Sequence, residues 1–269
     1  MIEIERFDET VTCIKTASPL GGQAIMWVYA YQVGEIVIDA GCWNAVEELR
    51  SFAQQHPVKR VFVTHYHEDH YGGSAAFLPK AEIFAGPVTL KSLHEPYSLP
   101  EFFQFVWGLP KPVVEAQEFR DPLLVVGDLT FEVVDLSGHC EEMIGFWEPN
   151  QRWFFSSDAV PLPSRKQMAM PEENIPMMIQ RMHEIQDKDP DVLFDGHRGP
   201  VVHPQEHIAM RIRFLSDLQS QVQELRAEGK SISEIKDVLG FPEPWYLPNT
   251  EGRFSVEHLI RSLAEDRVS

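Results

Sequence analysis

A dense cluster of metal-ligand side chains follows a short apolar run, and this feature constrains the fold of the chain more than any other. His65, His67, Asp69 and His70 fall within six positions, directly after the run Val61-Phe62-Val63. Imidazole together with carboxylate suits zinc, manganese or iron, whereas calcium and magnesium prefer shells of oxygen atoms alone. One small cation cannot easily accept four ligands from a single turn of backbone, so the cluster predicts two metal ions. The alternative interpretation is a surface cluster of histidines that binds no metal.

The hydrophobic pattern around the cluster alternates between strand and helix periods. We predict a pair of strands within residues 24–38, a helix over 44–55, a buried strand over 59–64, a helix over 74–78 and a strand over 81–85. Further strands are predicted at 123–126, 129–134, 144–147, 152–156 and 191–194, with a helix over 172–188. Because strands and helices alternate along the first part of the chain, the predicted class is α/β.

The formal net charge of −18 limits the partners that we expect. Its field repels phosphate backbones and anionic membranes, so neither nucleic acid nor a membrane is an expected partner. The amino terminus lacks the basic start and apolar stretch of a secretory signal, and no run approaches the length of a membrane span. A cytoplasmic location is therefore predicted. Three cysteines cannot form a complete disulfide framework, so reduced thiols are expected.

Residues 91–120 interrupt the alternating pattern with four prolines and a run of aromatic side chains at Phe102, Phe103, Phe105 and Trp107. Such a segment is either part of the core or a lid over a pocket.

The chain becomes helical after residue 203. Apolar side chains from Ile208 to Leu225 form one stripe at helical spacing, and Ser231 and Glu234 form a capping box that opens a second helix. We predict a domain boundary here, with residues 1–203 as the main domain and 204–269 as an appendage. The appendage is expected to pack against the main domain or to form a homodimer contact.

Three more ligand-type residues lie at predicted strand ends. His139 follows Ser137-Gly138 after one strand, Asp158 ends another, and His197 follows the strand at 191–194. Backbone geometry at strand ends is rigid, and side chains there can converge on one edge of a sandwich. Each residue alone would be read as an ordinary turn or cap residue. It is the combination of all three with the cluster at 65–70 that makes them candidate metal ligands.

These motifs together resemble the metallo-β-lactamase superfamily, in particular its glyoxalase-II-like hydrolases. The resemblance covers most of residues 10–203. The matching segments are the turn at 38–41, the Thr-His-x-His-x-Asp-His run at 64–70, Gly138-His139, Ser157-Asp158 and the glycine-to-proline run at 196–200. It implies a four-layer αββα sandwich in residues 1–203, with a binuclear site on one edge and a small C-terminal helical appendage.

The resemblance also implies a role for each candidate ligand. His65, His67 and His139 would hold the first metal, Asp69, His70 and His197 the second, and Asp158 would bridge them. The expected cofactors are two divalent ions, zinc above all, with manganese or iron as alternatives. Two such cations can share a hydroxide, lower its pKa and direct it at a carbonyl carbon or at phosphorus. Asp69 is the second candidate catalytic carboxylate, because it can orient that hydroxide or pass a proton to the leaving group.

Residues around the candidate ligands are assigned with open alternatives. Asp39 is expected to accept a hydrogen bond from a ligand imidazole, although a simple turn role is equally compatible with the sequence. Tyr66 and Tyr71, together with the aromatic residues at 102–107, are candidates for the substrate pocket, with aromatic packing as the alternative. Residues 140–143 replace the small hydroxyl residue and Pro-Gly that the family commonly shows, so substrate contacts are expected to differ there. The tail lacks the arginine and lysine set that would mark glutathione recognition, so glyoxalase II itself is not favoured.

The expected function is a binuclear metal-dependent hydrolase that cleaves an ester, thioester or lactone of a small, partly apolar substrate. Three alternatives remain open on the sequence. They are a phosphodiesterase or RNA endonuclease of the same fold, an iron-dependent redox enzyme, and a binding module that retains the metals without catalysis.

Overall fold

Two mixed β-sheets face each other in the computed structural model, which describes residues 1–162 and 165–264. The first sheet has the strand order β1 (Ile2–Arg6), β2 (Val11–Thr16), β5 (Val28–Val33), β6 (Ile36–Ile38), β7 (Arg60–Val63), β8 (Glu82–Ala85) and β9 (Gln117–Glu118). A separate hairpin pairs β3 (Pro19–Leu20) with β4 (Gln23–Ala24). Strands β6 to β9 pair in parallel, whereas the strands before them pair antiparallel.

The second sheet has the strand order β10 (Leu123–Val126), β11 (Leu129–Asp135), β12 (Ile144–Glu148), β13 (Trp153–Ser157), β14 (Val192–Asp195) and β15 (Gly199–Val202). Its pairs are antiparallel except for β13 and β14. Because β13 and β14 run in the same direction, the residues that follow them emerge at the same edge of the sheet.

Helices cover the outer face of each sheet. The helices are α1 (Val46–Gln55), α2 (Glu68–Tyr71), α3 (Pro87–His94), α4 (Glu101–Trp107), α5 (Ile175–Asp187), α6 (Gln205–Ala227), α7 (Ile232–Leu239) and α8 (Val256–Ala264). Short 3-10 turns occur at Trp43–Ala45, Ser74–Ala76 and Leu247–Thr250. Among the described helices, none is long and apolar enough to cross a membrane.

The strand alternation explains the layers. Successive side chains of a strand point to opposite faces of the sheet. In β7, Val61 and Val63 pack with the helices over the first sheet, while Phe62 points between the sheets. In β13, Phe154 packs with the helices over the second sheet, while Phe155 points between the sheets. The result is the predicted αββα sandwich, with apolar side chains on both faces of the central strands.

The tail helices share a hydrophobic cluster with α5 and the outer face of the second sheet. Ile208 and Leu215 of α6 and Leu259 of α8 are buried in the same cluster as Met182 of α5. The capping box predicted at Ser231 is present, and α7 ends at Gly240 in the left-handed conformation. The division of the chain at residues 203 and 204 stays a prediction.

One local prediction differs from the structure. The helix predicted over 74–78 is wrong, because only a 3-10 turn forms at Ser74–Ala76. Pro79 follows at once, and a proline disfavours helical backbone at the residue before it. Residues 91–120, which interrupt the predicted alternation of strands and helices, contain the end of α3, all of α4 and β9.

Candidate metal centre

The seven candidate ligands meet at one edge of the sandwich, beyond the ends of strands in both sheets. β7 ends at Val63 and delivers the cluster at 65–70, the last two residues of which lie on α2. His139 lies in the connection between β11 and β12, Asp158 follows β13 and His197 follows β14. All but Asp158 and His197 are buried, and those two are half-buried.

Three imidazoles form the first group of convergent ligand atoms. His67 Nδ1 lies 3.1 Å from His65 Nε2 and 2.9 Å from His139 Nε2. The three inner nitrogens therefore face a common point, as ligands of one ion would. Together these residues form the set that the resemblance assigns to the first metal.

The second group combines imidazole and carboxylate. Its members, Asp69, His70 and His197, bring their ligand atoms within 4.8 Å of one another. Asp158 lies between the two groups, since its Oδ1 is 3.4 Å from His70 Nε2 and its Oδ2 is 3.3 Å from His197 Nε2 and 3.5 Å from His139 Nε2. A carboxylate in this place can reach an ion in either group.

The outer nitrogens of three imidazoles are held by oxygen atoms that can only accept. Nδ1 lies 2.9 Å from its acceptor in each case: His70 donates to Asp39, His139 to Glu173, and His197 to the carbonyl of Trp27. These acceptors place the proton on Nδ1, so the lone pair of Nε2 points into the site. That is the tautomer a metal-binding imidazole needs.

Asp39 holds several groups at the base of the site. Its carboxylate accepts from the Thr64 amide at 2.8 Å, from Thr64 Oγ1 at 3.1 Å and from Ser157 Oγ at 3.3 Å, in addition to His70. Asp39 also has a φ of 61°, in the left-handed region. The two alternatives raised by the sequence are thus compatible, because the turn conformation directs the carboxylate at the imidazole.

The carboxylates in and beside the second group favour positive charge on its imidazoles or between them. Burial opposes protonation of His70, yet the carboxylates of Asp158, Asp69 and Asp39 raise its pKa well above the ordinary value. Burial also opposes protonation of His197, but Asp158 and Asp69 raise its pKa to about 9. Burial would raise the pKa of Asp158, but His197 and His70 hold it well below the ordinary value. Divalent cations would supply the same compensation as the protons.

Buried polar atoms without partners point to the same conclusion. His70 Nε2 and Asp158 Oδ1 are both buried, and neither has a hydrogen-bond partner among the described residues. Since buried polar atoms are nearly always satisfied, such atoms need a ligand. The residues present therefore fit the binding of metal ions.

A cavity of about 390 Å³ opens above the candidate ligands. Five candidate ligands lie at its floor, namely His67, Asp69, His139, Asp158 and His197, and its walls are mainly apolar. The wall residues include Ile25, Met26, Phe102, Phe103, Val106, Trp107, Met168, Met170, Trp245, Tyr246 and Phe254. Residues of the tail and of α4 meet directly there, because the rings of Phe102 and Tyr246 stack with centroids 6.1 Å apart.

The cations on the cavity wall are already paired. Of the described residues that line the cavity, two carry a lysine or arginine side chain, and they are Lys166 and Arg253. Lys166 Nζ lies 2.8 Å from Glu173 Oε1, and Arg253 forms an ion pair with Glu172. The cavity therefore offers no free cationic anchor from its described lysine and arginine side chains.

The predicted pocket residues occupy different places. Phe102, Phe103 and Trp107 lie on the cavity wall. Phe105, on the other side of α4, is 53 % exposed. Tyr71 is buried between the first sheet and its covering helices. Tyr66 packs against the apolar cluster between the second sheet and its covering helices, with its ring against His67. The structure thus places Tyr66, Tyr71 and Phe105 outside the cavity lining.

Residues 140–143, which depart from the family pattern, have a structural role. The Glu142 carboxylate accepts hydrogen bonds from the amides of Val88 and Thr89 and from Thr89 Oγ1. It therefore caps the amino terminus of α3, where unpaired amides need acceptors. We did not predict this contact, nor those of Glu173 with His139 and of Glu172 with the tail, because each joins residues 34 or more positions apart in the sequence.

The chain resembles known proteins over most of its length. The model of the metallo-beta-lactamase superfamily matches residues 21–197. A curated relative, the hydroxyacylglutathione hydrolase of Legionella pneumophila (strain Lens), is 26% identical over 114 residues, and the match spans 40% of this chain and 37% of the relative.

Solved structures share the fold at low identity. A beta-lactamase domain protein from Burkholderia ambifaria has a TM-score of 0.68 at 17% identity and covers 97% of this chain and 86% of its own. An archaeal metallo-beta-lactamase superfamily protein from Sulfolobus tokodaii has a TM-score of 0.62 at 18% identity, covering 77% of this chain and 86% of its own. A metallo-beta-lactamase from Pontibacter korlensis has a TM-score of 0.61 at 19% identity, covering 80% and 99%.

Proposed function

Because the chain belongs to the metallo-beta-lactamase superfamily, we propose that it is a binuclear metal-dependent hydrolase. Its proposed substrate is an ester, thioester or lactone of a small, partly apolar molecule. One observation carries this proposal: seven ligand-type side chains converge at one edge of the sandwich, and five of them line a mainly apolar cavity. Metal ions held at such a floor can supply the chemistry of acyl hydrolysis, and an apolar acyl group suits such walls.

The proposed ligands form two sets with one shared residue. His65, His67 and His139 would hold the first ion, Asp69, His70 and His197 would hold the second, and Asp158 would be a ligand of both. Zinc is the proposed metal, since imidazole and carboxylate are among its usual ligands. When bound, the ions would supply hydroxide at neutral pH and polarise the carbonyl oxygen of the substrate.

The side chains of the protein orient and enclose the reaction. Asp69 lines the cavity, with its Oδ2 3.4 Å from His197 Nε2, and is the proposed residue that orients the attacking hydroxide or serves the leaving group. The aromatic walls exclude water, which strengthens every electrostatic interaction inside. Since Lys166 and Arg253 are paired with glutamates, a neutral acyl group fits the cavity better than an anionic one.

The proposal is tested by metal content and turnover measured on the same preparations. The panel contains aryl esters, lactones, acyl thioesters and a phosphodiester, and an oxygen-uptake assay detects redox chemistry. We expect two metals per chain and turnover of acyl substrates. Asp158→Asn should lower kcat/KM by about 100-fold or more and reduce the metal content, because it removes a charged ligand. Asp187→Asn is the matched control, since Asp187 is exposed at the end of α5.

Two results would overturn the proposal. One is full acyl hydrolysis in the Asp158→Asn protein. The other is a metal-loaded protein that turns over only the phosphodiester or only consumes oxygen. The cytoplasmic location and the homodimer stay predictions, which fractionation and the solution mass would test.

A further inference from the structure

The tail of the chain contacts the candidate metal centre through one ion pair. Arg253 lies just before α8, and its guanidinium donates to Glu172 Oε1. The same oxygen lies 3.6 Å from His67 Nε2, the nitrogen that faces away from the first ligand group. The side chains of Glu172 and Arg253 are 19% and 26% exposed, so solvent screens this contact only in part.

His67 depends on this contact more than its neighbours do. His67 Nε2 is buried and has no hydrogen-bond partner among the described residues. The Glu172 carboxylate, at ion-pair distance, is therefore the group that can keep the proton on Nε2 and leave Nδ1 free to bind a metal. His70, His139 and His197 have closer acceptors, as described above.

The residue next to Glu172 provides a parallel arrangement. Glu173 Oε1 accepts from His139 Nδ1 at 2.9 Å and from Lys166 Nζ at 2.8 Å. Two adjacent glutamates thus stand behind two histidines of the first group, and each glutamate is balanced by one cation. The difference lies in the source of the cation, because Lys166 comes from the loop after β13 whereas Arg253 comes from the tail.

We propose that Arg253 is a positioning residue that holds the Glu172 carboxylate against His67, so that the tail helps to set the metal affinity of the group formed by His65, His67 and His139. The inference rests on the proposed function in one respect, that this group binds a metal. A carboxylate behind a ligand imidazole fixes its tautomer and increases its basicity, and the loss of such a partner typically costs 10–100-fold in metal affinity. Without Arg253, Glu172 is free to turn towards solvent.

The test is metal affinity, measured by competition with a chromophoric chelator, in four proteins and the wild type. The proteins are Arg253→Met, Glu172→Gln, the double variant and Arg261→Met. Arg261 is the matched control, because it lies on the tail but pairs with Glu257 on the exposed face of α8. We expect Arg253→Met and Glu172→Gln each to lower the affinity for one of the two metal ions about tenfold and to leave the affinity for the other unchanged. We expect the double variant to be no weaker than Glu172→Gln alone, and Arg261→Met to match the wild type.

A second readout separates positioning from loss of fold. The absorption spectrum of the cobalt-substituted protein should change in Arg253→Met and Glu172→Gln and stay unchanged in Arg261→Met. If Arg253→Met does not fold, Glu172→Gln decides, because glutamine keeps the size of the side chain and removes its charge.

Three results would overturn the inference. They are wild-type affinity at both sites in Glu172→Gln, additive losses in the double variant, and an equal loss in Arg261→Met. In each of these the wild type still binds two metals, so the proposed function survives. A wild type that takes up no metal would overturn both.

Discussion

Gly196 is predicted to tolerate no side chain, because it lies against the candidate metal ligands. A methyl group added to its Cα would overlap Asp158 Oδ1 and come within 2.9 Å of His70 Cε1. Ordinary van der Waals contact begins at 3.4 Å, so the His70 ring must withdraw by about 0.5 Å and the Asp158 oxygen by more. Metal-ligand distances tolerate only about 0.2 Å. Gly196→Ala should therefore disturb the proposed second ion through two of its proposed ligands, His70 and Asp158, at once.

The expected magnitudes follow from that displacement. A misplacement of this size is expected to lower kcat/KM by about 100-fold. Inserting a methyl group into a packed site should also lower the free energy of unfolding by about 1–3 kcal/mol. Metal content, kcat/KM on an acyl substrate and urea unfolding are measured on the same protein. The matched control is Gly127→Ala, where a methyl group would meet nothing within 4 Å.

Gly127 has a φ of +59°, so its alanine variant bears a backbone cost of about 1 kcal/mol without any contact with the site. We expect Gly127→Ala to keep full metal content and turnover. If Gly196→Ala keeps both as well, the reasoning is refuted, since the site would then have accepted a displacement larger than metal coordination allows.

Three further predictions concern metal removal, the thiols and the α3 cap. Prolonged chelation should lower the melting temperature, because a ligand at about 1,000 times its Kd stabilises the native state by about 4 kcal/mol; calorimetry with and without metal measures this. Burial raises the pKa of Cys13 to about 12, of Cys42 to about 11, and of Cys140 well above its ordinary value. A rise of two units leaves about 100-fold less thiolate at pH 8, so iodoacetamide should label the native protein at least that much more slowly than the unfolded chain. Glu142→Ala should lower the free energy of unfolding by about 1–2 kcal/mol through loss of the helix cap and leave kcat/KM unchanged.

Each of these has a result that would contradict it. Identical melting curves with and without metal would show that the ions do not bind the native state selectively. Rapid native labelling would show that a thiol is accessible. For the cap, Glu141→Ala is the control, because Glu141 is exposed beside Glu142; equal stability of the two variants would exclude the capping role.

The sequence predicted the strand ends well because their signals are local. The run Val61-Phe62-Val63 is apolar throughout, as expected for a strand buried on both faces, and it delivers His65 to the sheet edge. Gly138-His139 and Ser157-Asp158 likewise carry their ligand types at the ends of recognisable strands. Convergence at one edge then follows from the sandwich.

The cavity walls were not predictable to the same degree. The aromatic run at 102–107 lies on α4, so Phe103 and Trp107 face inward while Phe105 faces outward, and the prolines around it concealed this helical period. The contribution of Trp245 and Arg253 depends on packing between segments more than 70 residues apart, for which a single sequence carries no local signal.

The walls and the floor of the cavity come from different kinds of segment. Strand ends supply the floor, whereas α4 and residues 245–254 supply much of the wall, and Trp245 is 78 % exposed at the rim. A substitution at Phe102 or Trp245 can reshape the space without moving any strand end. Selection on this protein could thus exchange one substrate for another while the reaction chemistry stays intact. Arg253 would be the exception, because it lines the cavity and also pairs with Glu172 behind His67, so a change there would alter the proposed substrate fit and the proposed metal affinity together.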